Sequence, residues 1–376
     1  MIRVGINATS LNDRPSGARQ RFIGLYGALF RLRPDNEYFI YEPRDCRVAD
    51  WFSGLANVRG IATSLPSASR LERYARGIGL WRSLLARDGL TCFEALHLPL
   101  IRAPDCPTIL TVHDARPVLD DVPKVRRAVY LHILRRALRE ADSVITVSHT
   151  MKRELLAIET TARITTIYNG IAPMPFAETR GGSSAKQTDT NLMLAVGHFE
   201  PRKNYETLIR AMALLAADPA APRLAIVGKD GGSLVATRAL IVSLGLTGRV
   251  DLMLDVDDAR LGALYRAARL LIFSSTYEGF GIPVLEAMAA GLPMAVSDLP
   301  VFRELTEDRA AYFDPLDASA MAQTISSLLD SPHRQDEQRA YGHHRLADFA
   351  FPALARELDV LHHRVAFAGA TGVSGR

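Results

Sequence analysis

TYEGFGIPVLEAMAAGLP, residues 276–293, is the stretch on which the reading of this 376-residue chain turns. It follows the apolar run RLLIFSS, residues 269–275, which has strand length, and leads into a helix whose first turn holds Pro283. Proline suits that turn because its missing N–H would be unpaired there in any case. Gly279 and Gly281 let the backbone turn sharply and come close to a ligand. The amides opening the helix then face the carboxyl end of a sheet, and an anion there is favoured by roughly 0.3–2 kcal/mol. Glu278 lies in the loop and Glu286 one turn into the helix, and both can face that same end, where ligands of open α/β sheets bind. Carboxylates would repel a phosphate that they touched. They make sense as acceptors for hydroxyl groups on either side of a diphosphate, which is what a nucleotide sugar presents. The plainer alternative is a helix that starts with glutamates and glycines and leaves Glu286 in solvent.

A second segment agrees with the first. AVGHFEPRKNYETLIRAM, residues 195–212, reads as strand, loop and amphipathic helix. Arg202 and Lys203 stand just before that helix, which Asn204 can cap. Two cations at a helix entrance suit a diphosphate, each charge-assisted hydrogen bond being worth roughly 1.5–3 kcal/mol. A solvated basic loop is the alternative for an isolated Arg-Lys pair.

Outward from these segments, apolar runs alternate with stretches of helical period. IRVGIN, YFIYEP, TILTVHD, SVITVS and RITTIY are the expected strands of the first half, with helices over 124–140 and 149–159. LMLAVG, RLAIVG, VDLML, RLLIFSS and PMAVSD are those of the second, with helices near 204–216, 233–244, 257–268 and 284–290. Such alternation specifies a mainly parallel, doubly wound sheet in each half. Residues 172–191, APMPFAETRGGSSAKQTDTN, have no continuous apolar pattern and read as a linker. The expected organisation is a first Rossmann-like domain over 1–171, a second over 192–350, and a helix within 351–376 that returns to the first. Neither half opens with G-x-G-x-x-G, which removes the main support for a dehydrogenase.

Composition bounds the function classes. Hydrophobic residues make up 48% and charged residues 23%, as in ordinary globular proteins. The chain starts MIRVGIN, a strand with no signal-peptide features before it, and no run of about 18 uncharged apolar residues occurs. A cytoplasmic protein follows, with Cys46, Cys92 and Cys106 as idle thiols. Residues 59–87 hold Arg59, Arg70, Arg73, Arg76, Arg82 and Arg87 against Glu72 alone. No nucleic-acid motif accompanies that patch. With Leu71, Tyr74, Ile78, Trp81, Leu84 and Leu85 at helical spacing, it suits either peripheral contact with an anionic membrane or a helix packed on the first domain.

The segment 276–293 resembles the E-x7-E motif of glycosyltransferase family four, retaining enzymes of GT-B fold. The resemblance implies two Rossmann-like domains facing each other across a cleft. It also implies that Glu278 contacts the donor sugar and Glu286 the ribose. The backbone of Gly279, Phe280 and Gly281 would hold sugar and phosphate, flanked by Ile282 and Pro283. Segment 195–212 is similar to the family's P-x-K-N element, so Arg202 and Lys203 would neutralise the donor diphosphate. Gly197, Glu200 and Asn204 fall on the donor side with them, while the role of His198 stays open. AIVGKDGG, residues 225–232, resembles the strand and turn that bring Gly228 and Lys229 to the nucleotide. Asp255-Val256-Asp257 spells D-x-D, read here as helix capping rather than a metal site, and no metal or other cofactor is expected.

In the first half, TILTVHDARP, residues 108–117, places His113 and Asp114 at the carboxyl end of a buried strand. The resemblance makes His113 a catalytic residue and Asp114 an acceptor-side one; a satisfied core histidine is the alternative, and His97 has a similar setting. Ser148 reads as a helix cap first and a ligand second, and Asn169-Gly170 as a turn. The first loop, PSGARQRF, has only Gly17 where the family shows G-G-x-x-R, with Arg19 on the acceptor side and Arg21 close by.

The resemblance further implies transfer with retention of anomeric configuration, in which Arg202 and Lys203 stabilise charge on the leaving phosphate. FEPRKN and the His-Asp element look like those of bacterial mannosyl- and D-rhamnosyltransferases of polysaccharide assembly. The expected donor is therefore a GDP-sugar; the expected acceptor is a lipid-linked saccharide, because the arginine-rich segment carries apolar residues at helical spacing. A UDP- or dTDP-sugar donor is the alternative within the class. A non-catalytic nucleotide-sugar-binding module is the alternative outside it.

Overall fold

A strand covered on both faces by helices must be apolar at nearly every position, and this accounts for most of the runs above. In the computed structural model, residues 1–14, 16–103, 105–115, 123–171 and 191–368 are described. The linker expected over 172–191 lies outside them except for Asn191, as does the tail after Ala368. The chain forms two compact units, one of residues 1–172 with 348–376, the other of 173–347.

The first unit holds seven parallel strands, β1 (Arg3–Asn7), β2 (Glu37–Glu42), β3 (Val58–Ala62), β4 (Cys92–Ala95), β5 (Thr108–Val112), β6 (Ser143–Thr146) and β7 (Ile164–Thr166), in the order β3-β2-β1-β4-β5-β6-β7. The second holds six, β8 (Leu192–Val196), β9 (Arg223–Val227), β10 (Val250–Met253), β11 (Leu270–Phe273), β12 (Met294–Ser297) and β13 (Ala311–Phe313), in the order β10-β9-β8-β11-β12-β13. Each sheet runs outward in both directions from its first strand, the doubly wound order. The crevice that this reversal opens lies at the carboxyl ends of β1 and β4 in one unit and of β8 and β11 in the other.

Three strands have no apolar run in the sequence. β3 is an edge strand with mostly exposed side chains, and β13 is only three residues long. β4 carries Glu94 in its middle, fully buried. That carboxylate accepts hydrogen bonds from Tyr26 Oη (2.6 Å), Thr111 Oγ1 (2.7 Å) and His362 Nε2 (2.9 Å), which makes its burial tolerable. His362 belongs to the last helix, Phe351–Ala368, whose Leu354, Leu358 and Leu361 join the core of the first unit.

The arginine-rich segment forms the helix Arg70–Arg87, capped by Ser69. The side chains of Leu71, Tyr74 and Ile78 lie outside the described ones. Trp81 and Leu85 do not face solvent as a membrane-dipping helix would need. Both are buried, Trp81 against Tyr41 and Phe93, because this face covers the sheet. Arg73 is also turned in, donating to the carbonyls of Pro66 and Ser67, and Arg59 pairs with Glu37. Among the described residues, no helix is long and apolar enough to cross a membrane.

Candidate active site

In the second unit, the loops after β8 and β11 leave the sheet side by side. Ser274 Oγ donates to Lys203 O (2.8 Å) and Thr276 N to Arg202 O (2.8 Å), so the second loop is fastened to the backbone carbonyls of the first. Arg202 and Lys203 lie on the short 3₁₀ turn Pro201–Lys203, and Asn204 follows with φ 54°. Asn204 stands at the start of helix Tyr205–Leu215 without capping it by its side chain. Its Oδ1 instead accepts from Thr207 Oγ1 (2.8 Å) and its Nδ2 donates to Pro315 O (2.5 Å), which corrects the expected cap.

One carboxylate oxygen gathers the cluster. Glu278 Oε1 accepts from Arg202 Nη1 (2.5 Å), Lys203 Nζ (2.6 Å) and Ser275 Oγ (2.9 Å). Arg202 Nε donates to Glu200 Oε2 (2.8 Å), and Lys203 Nζ sits 4.5 Å from the centre of the Phe273 ring. Only 7% of the Lys203 side chain and 11% of that of Glu278 is exposed, so the pair interacts through little water. Burial pulls Lys203 below its ordinary pKa, and Glu278 opposes that shift. Burial would raise Glu278, but Lys203 and Arg202 outweigh it and hold the carboxylate below its ordinary value. Its contribution to stability is therefore complete above the ordinary carboxylate pKa and lost as pH falls through the folded-state value.

Helix Ile282–Ala290 begins at Gly281, whose φ of 124° is one that a side chain would strain. Phe280 is buried. Glu286 is not solvated. It is 8% exposed, and Tyr265 Oη donates to its Oε2 (2.6 Å), while no described residue bonds its Oε1. Burial pushes it above the ordinary carboxylate value, with Tyr265 opposing. Gly228 owes its identity first to packing, since a Cβ there would stand 1.9 Å from the carbonyl oxygen of Gly197. Lys229 is exposed, and its amide donates to His198 Nδ1 (3.3 Å). Asp257 caps helix Asp258–Ala267 through Arg260 N (2.7 Å).

The first unit has a cavity of about 500 Å³ lined by Arg14, Arg21, Arg73, His97, His113 and Asp114 among others. Gly17 opens the short helix Gly17–Arg21, capped by Ser16. Arg19 does not reach the cavity; its guanidinium stacks on Trp51 at 4.8 Å. Arg21, two residues on, does. It is 3% exposed, with Nη1 held by Tyr168 O (2.6 Å) and Asn169 Oδ1 (3.0 Å), while its Nε and Nη2 find no partner among the described residues. Ser148 caps helix His149–Ile158 by accepting from Met151 N (3.0 Å).

His113 is pushed down to about 4 by burial, then by Arg21, so it is a neutral imidazole at physiological pH. A folded-state pKa below the ordinary 6.5 gives stability that is present above 6.5 and lost as pH falls toward about 4. Urea unfolding should show wild type losing on the order of 1–3 kcal/mol more than His113→Gln across that interval. Equal losses would place the ring in water.

Sequence reading missed Ser275, Tyr265, Glu94 and His362. Only Ser275 left a signal, three residues before Glu278 in S-x-x-E.

The chain is similar to known glycosyltransferases along most of its length. The sequence model of glycosyl transferases group 1 matches residues 178–345, and that of Glycosyltransferase Family 4 matches residues 43–173. The O-antigen chain mannosyltransferase RfbU of Salmonella typhimurium is 28% identical over 76% of this chain and 80% of its own. The O-antigen chain mannosyltransferase B of Escherichia coli is 34% identical over 38% of each chain. Among solved structures, the sucrose-phosphate synthase of Thermosynechococcus elongatus superposes with a TM-score of 0.77 over 98% of this chain and 100% of its own, at 19% identity. Anabaena HepE, solved in complex with UDP and glucose, gives 0.69 over 96% and 99% at 16% identity. The two family models match consecutive stretches of the chain, and each unit holds one parallel sheet: the protein is a glycosyltransferase that carries a Glycosyltransferase Family 4 domain and a glycosyl transferases group 1 domain in a GT-B fold.

Proposed function

We propose that this glycosyltransferase moves mannose or D-rhamnose, with retention, from a GDP-sugar onto a lipid-linked saccharide of cell-surface polysaccharide assembly. The observation that carries the reading is the Arg202–Lys203–Glu278 cluster at the carboxyl ends of β8 and β11. A diphosphate arriving there takes over donors that Glu278 and Glu200 now hold. Glu278, released, accepts a hydroxyl of the donor sugar, and Glu286 Oε1 accepts from the ribose. The leaving phosphate takes the acceptor proton while the two cations stabilise its growing charge, so no metal is needed. The cavity of the first unit receives the acceptor, with His113 a neutral hydrogen-bond partner. The relatives named as O-antigen mannosyltransferases favour mannose, whereas the UDP complex of HepE favours the second reading, a UDP- or dTDP-sugar donor.

Nucleotide release by the purified protein, with GDP-mannose, GDP-D-rhamnose and UDP-glucose in turn, tests this. Release should need both a GDP-sugar and a lipid-linked saccharide, and it should persist in excess EDTA. Donor binding without turnover across a broad acceptor set favours a binding module, and activity that only magnesium or manganese restores contradicts the metal-free route.

Glu286→Ala should weaken GDP binding by on the order of 10–100-fold, the value of a hydrogen bond to a charged acceptor. Calorimetry giving an unchanged affinity for a folded variant would remove the ribose assignment.

A further inference from the structure

We propose that Tyr265 is a positioning residue for nucleotide recognition, fixing the carboxylate of Glu286 so that its Oε1 is presented to the ribose hydroxyls. The proposal rests on the reading of Glu286 as the ribose acceptor and names the group that aims it. Tyr265 stands near the end of helix Asp258–Ala267, and Glu286 in the middle of helix Ile282–Ala290. Both are buried, and Tyr265 Oη donates to Glu286 Oε2 at 2.6 Å. Among the described residues, this is the one hydrogen bond that the phenol makes. Phenylalanine would pack in the same place, so packing does not call for the hydroxyl.

Glu94 shows how a carboxylate buried within the fold is satisfied: three donors from three elements share its two oxygens. Among the described residues Glu286 has one donor, on one oxygen. Burying a carboxylate is costly until its acceptor positions are filled, so the open Oε1 calls for hydroxyl donors. A ribose carries two of them side by side. The last torsion of a glutamate is broad and two-fold, so the helix alone does not set the plane of this carboxylate. The bond from Tyr265 does, because with Oε2 held the direction of Oε1 is fixed. Burial, then the neighbouring Glu286, raises the Tyr265 hydroxyl well above its ordinary pKa, so it stays a donor. The role is the same whichever sugar is transferred.

Calorimetry on the full chain tests it, with GDP or UDP, whichever the wild type binds more tightly, and the dideoxyribose form of the same nucleotide. Wild type should prefer the ribonucleotide by on the order of 10–100-fold, the value of hydrogen bonds to a charged acceptor. Tyr265→Phe should weaken the ribonucleotide by about tenfold and leave the dideoxy form as it was, so that the preference shrinks. The donor KM should rise by a similar factor with a smaller change in kcat, because the ribose contact is the same in the ground and transition states. Once Glu286→Ala has removed the carboxylate, adding Tyr265→Phe should cost no further affinity. That double variant also leaves no unpaired carboxylate to disturb folding. Equal weakening of both nucleotides, an unchanged preference in folded Tyr265→Phe, or a double variant weaker than Glu286→Ala would overturn the positioning role while the ribose reading stands. Wild type that binds the two forms equally, or binds neither nucleotide, would overturn the ribose reading and the positioning role with it.

Discussion

Lys203→Met lowers kcat by on the order of 10²–10³-fold, as loss of one preorganised electrostatic donor does, and weakens donor binding by less. Charge on the leaving diphosphate grows as the sugar bond breaks, so a fixed cation beside it stabilises the transition state more than the bound substrate. In the proposed reaction Lys203 would be that cation, its Nζ being held at 2.6 Å by Glu278 in a nearly buried position. Methionine preserves the aliphatic stem against Phe273, so the effect is not one of an emptied core. Glu278 keeps Arg202 and Ser275 as partners, so the loop stays in place. Single-turnover rates alongside calorimetric donor affinity separate the two quantities. Weakened affinity with a normal kcat would make Lys203 an anchor only.

Glu278→Ala acts on stability as well as rate. It leaves Arg202 Nη1 and Lys203 Nζ, which now share one oxygen, as neighbouring cations in a poorly solvated site. Removing one partner of a buried pair costs about 3–5 kcal/mol, because the remaining charge is uncompensated. Tm should then fall by on the order of 10 °C for units of this size. A nucleoside diphosphate supplies the missing negative charge. GDP should therefore raise the Tm of the variant by more than it raises that of wild type. Equal ligand shifts in the two proteins would mean that the diphosphate does not meet these cations.

The loops after β8 and β11 were legible in the sequence because their residues are close along the chain: Arg202 and Lys203 are adjacent, and Glu278 and Glu286 are one loop and one turn apart. What binds each of them was not. Tyr265 lies 21 residues before Glu286, and His362 lies 268 residues after Glu94. Such pairs exist only once a helix has been laid against a sheet. β4 escaped notice for the same reason, since a glutamate in a strand reads as exposed until its three distant donors are known. Arg19 and Arg21 are equivalent in the sequence, yet a five-residue helix sends one onto Trp51 and the other under the cavity. The arginine-rich helix was left open by the sequence because its apolar residues had two possible covers, a membrane or the sheet. At Trp81 the sheet took them, through contacts with Tyr41 and Phe93.

Hexosyl transfer from a nucleoside diphosphate sugar with retention would be recorded in the anomeric configuration of the product. Wild-type protein is given GDP-α-D-mannose labelled at C1 and a lipid-linked saccharide acceptor, and the C1–H1 coupling of the new linkage is measured by NMR. The product should carry an α-linked mannose, formed in step with free GDP. A β-linked product, or GDP release that leaves no mannose on the acceptor, would contradict it.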